Sequence, residues 1–453
     1  MRLFLLVSLI LVTALVLGTY VHRRVAEALR LGPAGRWTAA AVLVVAVVAS
    51  FAGRVYDTAL PRDVAMALGT GGSVVTLAAM ISAVLLGVVD LSTWAARQLS
   101  RVGGGGAPRT DPPGSAAGPA ERAPSIPAGS AVEEMAEPAA DPAREAPTHP
   151  LRDGSPGTGE PGARTGRTRR PPTLPRRDAL RRLAVGGALA VGAGASAYGV
   201  VLGRRDYELA EVPIPLPGLP PALDGTRIVQ LSDVHFGTYV GDPELRSAVA
   251  LARRARPDLI VLTGDLVDHN PAYAPQLGRL VRRLAELGPR HGVKVIPGNH
   301  DHYTGVGTVM GAAERGGGEV LTNRGVVLGD GGGAFALLGV DDVWARRSGV
   351  GPGPDLDRAI ATVPADLPRV LLCHNPVFFP EARGRVGLQL SGHTHGGQVN
   401  LGFRPADLLL DYVHGLYEEE GSRLYVNRGF GTAGPPARVD ARPEVTVVVL
   451  TSA

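Results

Sequence analysis

Four long runs of apolar residues constrain this chain more than any other feature of its sequence. They cover residues 3–21, 38–52, 68–89 and 183–202. Runs of this kind suit the hydrocarbon core of a bilayer, which is about 30 Å thick, or else they must be buried inside a protein. We therefore predict a membrane region with three transmembrane helices in residues 1–100. A fourth transmembrane helix or signal-anchor is predicted in residues 178–205.

Other interpretations of these runs remain open at this stage. The first run could be a cleaved signal peptide, although no clear small-residue cleavage site follows it, and the next two could be buried helices. An arginine pair before the fourth run also resembles a twin-arginine export signal. Alternatively, the fourth run could form a helix that stays on one face of the membrane.

Arginine residues beside the runs predict the orientation of the chain. The loop after the first run contains Arg23, Arg24, Arg30 and Arg36 but only one acidic residue, Glu27. Basic residues also precede the fourth run, and the positive-inside rule places both segments in the cytoplasm. We therefore expect a multi-pass protein of the cell membrane whose C-terminal domain is extracytoplasmic. The formal charge of +4 is explained by these arginines, and no nucleic acid partner is expected.

Residues 101–177 separate the third and fourth runs and consist mainly of Gly, Pro, Ala, Ser, Thr and charged residues. Such a segment buries too little apolar surface to offset the entropy that is lost when a chain is ordered. The sequence therefore predicts a disordered linker here, semi-extended because of its proline content.

The remaining part, residues 206–453, alternates apolar strands with amphipathic helices, which is typical of an α/β domain built from packed layers. Candidate strands cover residues 227–231, 259–263, 293–296, 334–340, 370–373, 388–390, 424–426 and 445–450. Candidate helices cover residues 243–254, 273–286 and 355–362. The second helix repeats its leucines at helical spacing, which predicts a face that packs on the core.

Five clusters of polar residues follow the predicted strands. They contain Asp233 and His235; Asp265 and Asp268; Asn299, His300 and Asp301; His374; and His393 and His395. Ligand-binding groups gather at strand ends in α/β domains, and imidazole, carboxylate and amide groups bind Zn, Fe or Mn. Each cluster alone is weak evidence for a metal site, because such residues are common in surface loops. The set of five in succession predicts one metal site.

The spacing within the clusters indicates how that site could be built. On an extended segment, Asp233 and His235 would point the same way and could reach one ion, while the two oxygens of Asp265 could bridge two ions. Two ions about 3.5–4 Å apart need about this many ligands and can clamp an in-line displacement at phosphorus. Cys373 is the only cysteine, so the chain cannot form an intrachain disulfide. We expect Cys373 to be a buried hydrophobic residue.

Taken together, these clusters resemble the signature of the calcineurin-like metallophosphoesterase superfamily. The likeness covers roughly the last 230 residues. The chain is most similar to the membrane-attached bacterial members of this superfamily. They share its Gly-His-Thr-His-Gly-Gly-Gln run and its later segment Gly-Phe-Gly-Thr-Ala-Gly-Pro-Pro at residues 429–436. The resemblance implies a four-layer α/β/β/α sandwich with a centre for two divalent metal ions (Mn, Fe or Zn) at the sheet edges. The later segment is expected to be a structural loop near the site.

The resemblance also implies a role for each residue. One ion would be held by Asp233, His235 and His395, and the other by Asn299, His374 and His393, with Asp265 as the bridge. His300 would be the catalytic acid, oriented by Asp268. The residues after Asp268 are His269 and Asn270, whereas protein Ser/Thr phosphatases have an Arg-Gly pair there, which argues against a phosphoprotein substrate. His302 matches no residue with a known role in the family.

The expected function is therefore that of a membrane-anchored phosphoesterase. A metal-bound hydroxide would attack a phosphate ester or pyrophosphate, and the membrane tether favours a lipid-linked substrate over a soluble phosphodiester. Two alternatives stay open: a non-catalytic membrane protein that keeps the fold, and a mononuclear zinc hydrolase that uses only three or four of the ligands.

Overall fold

The computed structural model describes residues 2–55, 59–103, 175–330 and 332–452. The chain divides into two compact units, one of Met1–Ser92 with Arg176–Ala453 and the other of Thr93–Pro175. The predicted linker, residues 101–177, lies outside the described residues except at its ends. There α3 continues to Gly103 and α4 begins at Arg176.

Four long helices correspond to the four apolar runs. They are α1 (Arg2–Ala28), α2 (Pro33–Val55), α3 (Arg62–Gly103) and α4 (Arg176–Val201). Within the described residues, α2, α3 and α4 are long and apolar enough to cross a membrane. Many of their large apolar side chains are exposed, Val45 and Val48 among them, as expected of helices that face lipid.

Ion pairs connect these helices to one another at one end. Arg24 of α1 lies 2.9 Å from Asp90 of α3, and Arg30 pairs with Asp178 at the start of α4. The opposite ends contact the C-terminal domain, where the Arg62 Nε donates to Thr238 O at 3.3 Å. The helices therefore carry their arginine-rich loops at the end that is remote from this domain.

Two six-stranded sheets form the C-terminal domain. The first has the order β1-β12-β2-β3-β4-β5 and the second β10-β11-β9-β8-β7-β6. In chain order the strands are β1 (Glu208–Leu216), β2 (Arg227–Leu231), β3 (Leu259–Thr263), β4 (Val293–Ile296), β5 (Gly318–Val320), β6 (Arg324–Asp330), β7 (Gly333–Gly339), β8 (Arg369–Leu372), β9 (Leu388–Ser391), β10 (Gly415–Glu419), β11 (Ser422–Val426) and β12 (Glu444–Ser452). Strands β2, β3 and β4 pair in parallel, as do β8 and β9.

Helices cover the outer faces of both sheets. They are α5 (Asp242–Ala255), α6 (Ala274–Ala285), α7 (Asn299–Thr304), α8 (Val306–Arg315), α9 (Val343–Ser348), α10 (Leu356–Ile360) and α11 (Phe379–Ala382). Alternate residues of β2 serve different layers, since Val229 packs with α5 and α6 whereas Ile228 lies between the sheets. On the second sheet, Leu371 packs with Leu356 of α10. The predicted α/β/β/α sandwich is confirmed.

The eight predicted strands correspond to eight observed strands, with ends that differ by no more than a few residues. Four strands were not predicted, β1, β5, β6 and β10. Strand β1 contains Pro213 and Pro215, which argue against a strand because proline donates no ladder hydrogen bond. Among the described strands it pairs with β12 alone, at the edge of the first sheet, where a missing donor is tolerated.

Candidate functional site

The seven residues predicted as metal ligands lie just after β2, β3, β4, β8 and β9, with Asn299 as the first residue of α7. The parallel strands of each sheet end at one edge, and the two sheets bring these edges together. The backbone hydrogen bonds continue past the strands, with Asp233 N donating to Gly264 O and His235 N donating to Asp265 O, both at 3.0 Å. The loops after β2 and β3 therefore run side by side and bring their polar residues together.

One group of potential ligands consists of Asp233, His235 and His395. The Nε2 atoms of the two histidines are 3.1 Å apart, and Asp233 Oδ1 lies 3.4 Å from His395 Nε2. Two nitrogen ligands of one ion, each about 2.1 Å from it, are separated by roughly 3.0–3.4 Å. These three side chains are therefore spaced as ligands of a single ion.

The second group contains Asp265, His374 and His393. His374 Nε2 lies 3.2 Å from Asp265 Oδ2. On the other side of the ring, His374 Nδ1 donates to Thr263 O at 2.8 Å. A carbonyl can only accept, so the bond fixes the ring and turns Nε2 toward the site, as is typical of metal-binding histidines.

Asp265 lies between the two groups. Its Oδ1 accepts a hydrogen bond from His300 N at 2.8 Å. Its Oδ2 is 3.2 Å from His374 Nε2 in one group and 3.7 Å from His235 Nε2 in the other. In the structure Oδ2 therefore faces both groups, while Oδ1 also accepts the bond from His300 N.

Several buried polar atoms of the site fit a metal ion better than a hydrogen bond. Asn299 Oδ1 and His393 Nδ1 are buried and have no hydrogen-bond partner among the described residues. His393 is half-buried as a whole, but burial of its nitrogen lowers the pKa of His393 to about 3. The neutral imidazole is the state that binds metals, so the donor set suits a divalent cation.

Arg438 holds the ring and the backbone of His395 in position. Its guanidinium is fully buried, with Nη2 3.0 Å from His395 Nδ1 and Nη1 3.0 Å from His395 O. Burial, followed by the charge of Arg438, lowers the pKa of His395 well below its usual value. Since arginine can only donate, Nδ1 of the neutral His395 ring accepts this bond. Arg438 has no predicted role in the sequence, because it lies far from every cluster.

His300 stands beside these groups, and its ring packs edge-on against His235 with centroids 4.7 Å apart. Its Nδ1 donates to the backbone oxygen of Asp268 at 2.6 Å, whereas the nearer carboxylate oxygen of Asp268 is 3.5 Å away. Asp268 thus contacts His300 as predicted, but through its carbonyl. Burial lowers the pKa of His300, which makes its protonated ring a stronger acid.

The carboxylate of Asp268 faces a residue that sequence reasoning missed. Arg54, in the last turn of α2, donates from Nε to Asp268 Oδ2 at 2.7 Å and also donates to Gly434 O. Burial raises the pKa of Asp268, but the charge of Arg54 and the hydrogen bonds with His235 and His269 together outweigh it, so this pKa falls well below its usual value. The two residues are 214 positions apart, so no local pattern could have connected them.

The backbone at the site is strained. Five of the seven predicted ligands have a left-handed φ of +51° to +73°, namely Asp233, His235, Asp265, His393 and His395. Such a conformation costs a non-glycine residue roughly 1–2 kcal/mol. The expectation that Asp233 and His235 lie on an extended segment is therefore wrong. They converge because each adopts a left-handed turn, which a sequence pattern does not reveal.

Gly264 is required by close packing within the site. It has a φ of +84°, and a Cβ atom there would lie 2.7 Å from Gly298 N and 2.8 Å from His374 Nδ1. Any side chain would push the loops after β3 and β4 apart. The glycine therefore permits Asp265 to approach the second group.

The segment at residues 429–436 packs on the first cluster, as expected for a loop near the site. Phe430 N donates to Ser232 O at 2.8 Å and Gly431 N donates to Asp233 O at 2.7 Å. Cys373 is fully buried among the apolar residues outside the second sheet, which confirms its expected role. His302, which had no assigned role, donates from Nε2 to Asp341 Oδ1 at 2.7 Å.

Asp301 connects the loops of the site, a role that the sequence pattern does not indicate. Its Oδ1 accepts from Leu266 N and Val267 N at 2.9 and 3.1 Å, and its Oδ2 accepts from Gly298 N at 2.9 Å. The residue is fully buried. One carboxylate thus satisfies three buried donors and joins the loop after β3 to the loop after β4.

We expect Asp301→Ala to destabilise the protein by about 3 kcal/mol or more, since each unsatisfied buried donor costs about 1–3 kcal/mol. Urea unfolding of the full chain in detergent measures the loss. Asp355→Ala is the matched control, because Asp355 caps one exposed donor, Arg358 N, and should cost about 1 kcal/mol. Equal losses for the two variants would contradict the proposed structural role.

Comparisons with known proteins agree with the site. Residues 226–397 match the family model described as calcineurin-like phosphoesterase. A metallophosphoesterase of Bacillus subtilis (strain 168) is 33% identical over 279 residues, which are 59% of this chain and 94% of that protein. A Danio rerio protein named "Transmembrane protein with metallophosphoesterase domain" is 33% identical over 282 residues, which are 59% of this chain and 62% of that protein.

The match thus spans less than two thirds of the zebrafish protein, and the same holds for a relative of the same name from Bos taurus, at 33% identity and 64% of its length. Because vertebrate proteins match as well as bacterial ones, the expected restriction to a bacterial branch is not confirmed. The superfamily itself is confirmed, since the Bacillus relative is matched over nearly its whole length. This chain belongs to the calcineurin-like metallophosphoesterase family.

Proposed function

We propose that this protein is a membrane-anchored phosphoesterase that uses two divalent metal ions, Mn, Fe or Zn. Its substrate is a phosphate ester or pyrophosphate, and a lipid-linked substrate is favoured over a soluble phosphodiester. The observation that carries the proposal is the position of Asp265 Oδ2 within 3.7 Å of a histidine nitrogen in each of two ligand groups.

The arrangement of the helices supports an extracytoplasmic catalytic domain. The arginine-rich loops lie at the end of the helices remote from the domain, with Arg24 and Arg30 paired to acidic residues there. Cytoplasmic loops are the ones enriched in Lys and Arg. The end of α4 meets the domain at the opposite side, where Arg438 N donates to Gly199 O at 3.0 Å.

The residues of the site would have different roles in the reaction. The ions, when bound, would offset the charge of the phosphoryl oxygens and activate a water molecule. Asp265 would set their separation, while Asp233, Asn299 and the four histidines would hold them in place. His300 keeps Nδ1 bonded to Asp268 O, so its Nε2 can carry a second proton to the leaving oxygen.

A substrate comparison tests the proposal. The full chain, purified in detergent and supplied with Mn²⁺, is offered a lipid-linked pyrophosphate, a phospholipid, a nucleotide and bis(p-nitrophenyl) phosphate. We expect hydrolysis, with the highest kcat/KM on a lipid-linked substrate. Preference for the nucleotide would support the soluble-phosphodiester alternative. Absence of turnover together with less than one ion per chain would instead support a non-catalytic protein.

Arg54→Ala should lower kcat about 10–100-fold, the usual effect of removing a group that orients a catalytic residue. Without Arg54 the Asp268 carboxylate loses its partner from α2, and the loop that holds His300 loosens. Arg62→Ala is the matched control, because Arg62 lies at the start of α3 and its Nε donates to Thr238 O.

Two further measurements separate positioning from a general loss of structure. Added guanidinium should restore part of the activity of Arg54→Ala, and Arg54→Ala combined with Asp268→Asn should lose little more than either change alone. Equal kcat values for Arg54→Ala and Arg62→Ala would remove Arg54 from the mechanism.

A further inference from the structure

A patch of large apolar residues is exposed on the catalytic domain, directly after the His393–His395 cluster. Among residues 401–410, Leu408 is 79% exposed and Leu409 is 87% exposed, and Phe403 and Leu410 are about half-exposed. We call residues 401–410 the apolar lip. Clusters of exposed apolar side chains mark interaction surfaces, whereas isolated ones need no explanation.

The base of the lip lies beside the site. Gly397, in the turn after His395, is so close that a Cβ atom on it would lie 3.1 Å from Arg404 Cγ and 3.5 Å from Ala406 Cβ. Asn400 Nδ2 donates to Gly396 O at 3.0 Å and to Asp440 O at 2.9 Å. The lip is therefore held firmly to the loop that carries one of the ligand pairs.

The base of the lip also lies where the membrane helices enter the domain. Val399 packs in a small apolar cluster with Leu77 of α3, Val200 of α4 and Ala437. Val399 also forms an isolated parallel β-bridge with Val439, next to the point where Arg438 N donates to Gly199 O of α4. The lip thus continues the apolar surface formed by α3 and α4.

We propose that the apolar lip inserts into the outer part of the lipid bilayer beside the helices, so that the site opens at the membrane surface. The occupant is lipid because the lip continues from helices whose own exposed surface is apolar. The sequence of the lip also suits the interface between lipid and water, since Arg404 and Asp407 pair with each other at 3.2 Å among exposed leucines. Amphipathic segments of this kind sit at the boundary of headgroups and acyl chains. The substrate that reaches the site by this route is a phosphorylated lipid.

The inference rests on the membrane anchoring in the proposed function, and its test makes the two separable. Cys373, the single cysteine, is fully buried, so a nitroxide label can be attached at Leu409→Cys in an otherwise unchanged full chain. The labelled protein is reconstituted into liposomes of phosphatidylcholine and phosphatidylglycerol. Electron paramagnetic resonance then compares collisions of the label with oxygen, which enters lipid, and with a nickel chelate, which stays in water. Val327→Cys is the control, because Val327 is 48% exposed on β6, at the opposite edge of the second sheet from β10.

We expect the Leu409→Cys label to be more accessible to oxygen than to the nickel chelate, at a depth of about 5–10 Å below the lipid surface. The Val327→Cys label should show the reverse. Equal accessibility of both labels to the nickel chelate would overturn the proposal, as would spin–spin broadening that vanishes on dilution with unlabelled protein, which would identify a second copy as the occupant. Failure of the protein to sediment with the liposomes would instead refute the anchoring, and neither result depends on whether the protein hydrolyses phosphoesters.

Discussion

Asp265→Asn should abolish phosphoester hydrolysis and release both metal ions together. Asp265 Oδ2 faces one histidine nitrogen of each ligand group, at 3.2 and 3.7 Å. The amide has nearly the same shape and keeps an oxygen for His300 N, but it lacks the charge that two cations require. We expect activity to fall by more than about 10³-fold, the upper end for the loss of one preorganised electrostatic group.

Metal content per chain, measured by mass spectrometry beside turnover, decides this prediction. Asp258→Asn is the matched control, because Asp258 precedes the same strand at its other end, where it accepts from Arg227 N at 2.8 Å. The control should keep its metals and its turnover. If Asp265→Asn bound two ions and turned over normally, Asp265 would not be the bridge between them.

His300→Ala should lower kcat about 10²–10⁴-fold, the usual contribution of a general acid, and should keep both metal ions. The ring is positioned by Asp268 O at 2.6 Å and lies outside both proposed ligand sets. The loss should be greatest for esters with an alkyl leaving group and smaller for p-nitrophenyl esters, because p-nitrophenolate leaves without protonation.

The metal measurement also tests a different role for this residue. His300, His235 and Asp268 lie close enough together to hold an ion by themselves, and loss of an ion from His300→Ala would make His300 a ligand. His302→Ala is the matched control, since His302 lies two residues further along and pairs with Asp341. Equal losses of turnover for all leaving groups would contradict the role of His300 as an acid.

The part of the site that can be predicted from the sequence consists of the polar residues that follow predicted strands. The runs of buried residues before Asp233, Asp265 and Asn299 predict strands, and parallel strands bring their carboxyl ends together. The layers follow from the period of two along β2, which divides Val229 and Ile228 between two cores. For these reasons most strands, the layered fold and the convergence of the clusters could be predicted from residue patterns.

Contacts between distant parts of the chain could not be predicted in this way. Arg54 follows the predicted membrane span at residues 38–52, yet its guanidinium contacts Asp268. Arg438 follows none of the clusters, yet it fixes His395. Each depends on how separate elements pack, and a single sequence contains no periodic signal for that.

The left-handed turns at the five ligands have a consequence for how the protein evolves. Glycine would adopt these turns without a steric penalty, so selection for thermal stability alone would favour glycine at these positions. Aspartate and histidine persist there only while catalysis is under selection. In a lineage that lost the activity, these ligands should therefore be replaced early.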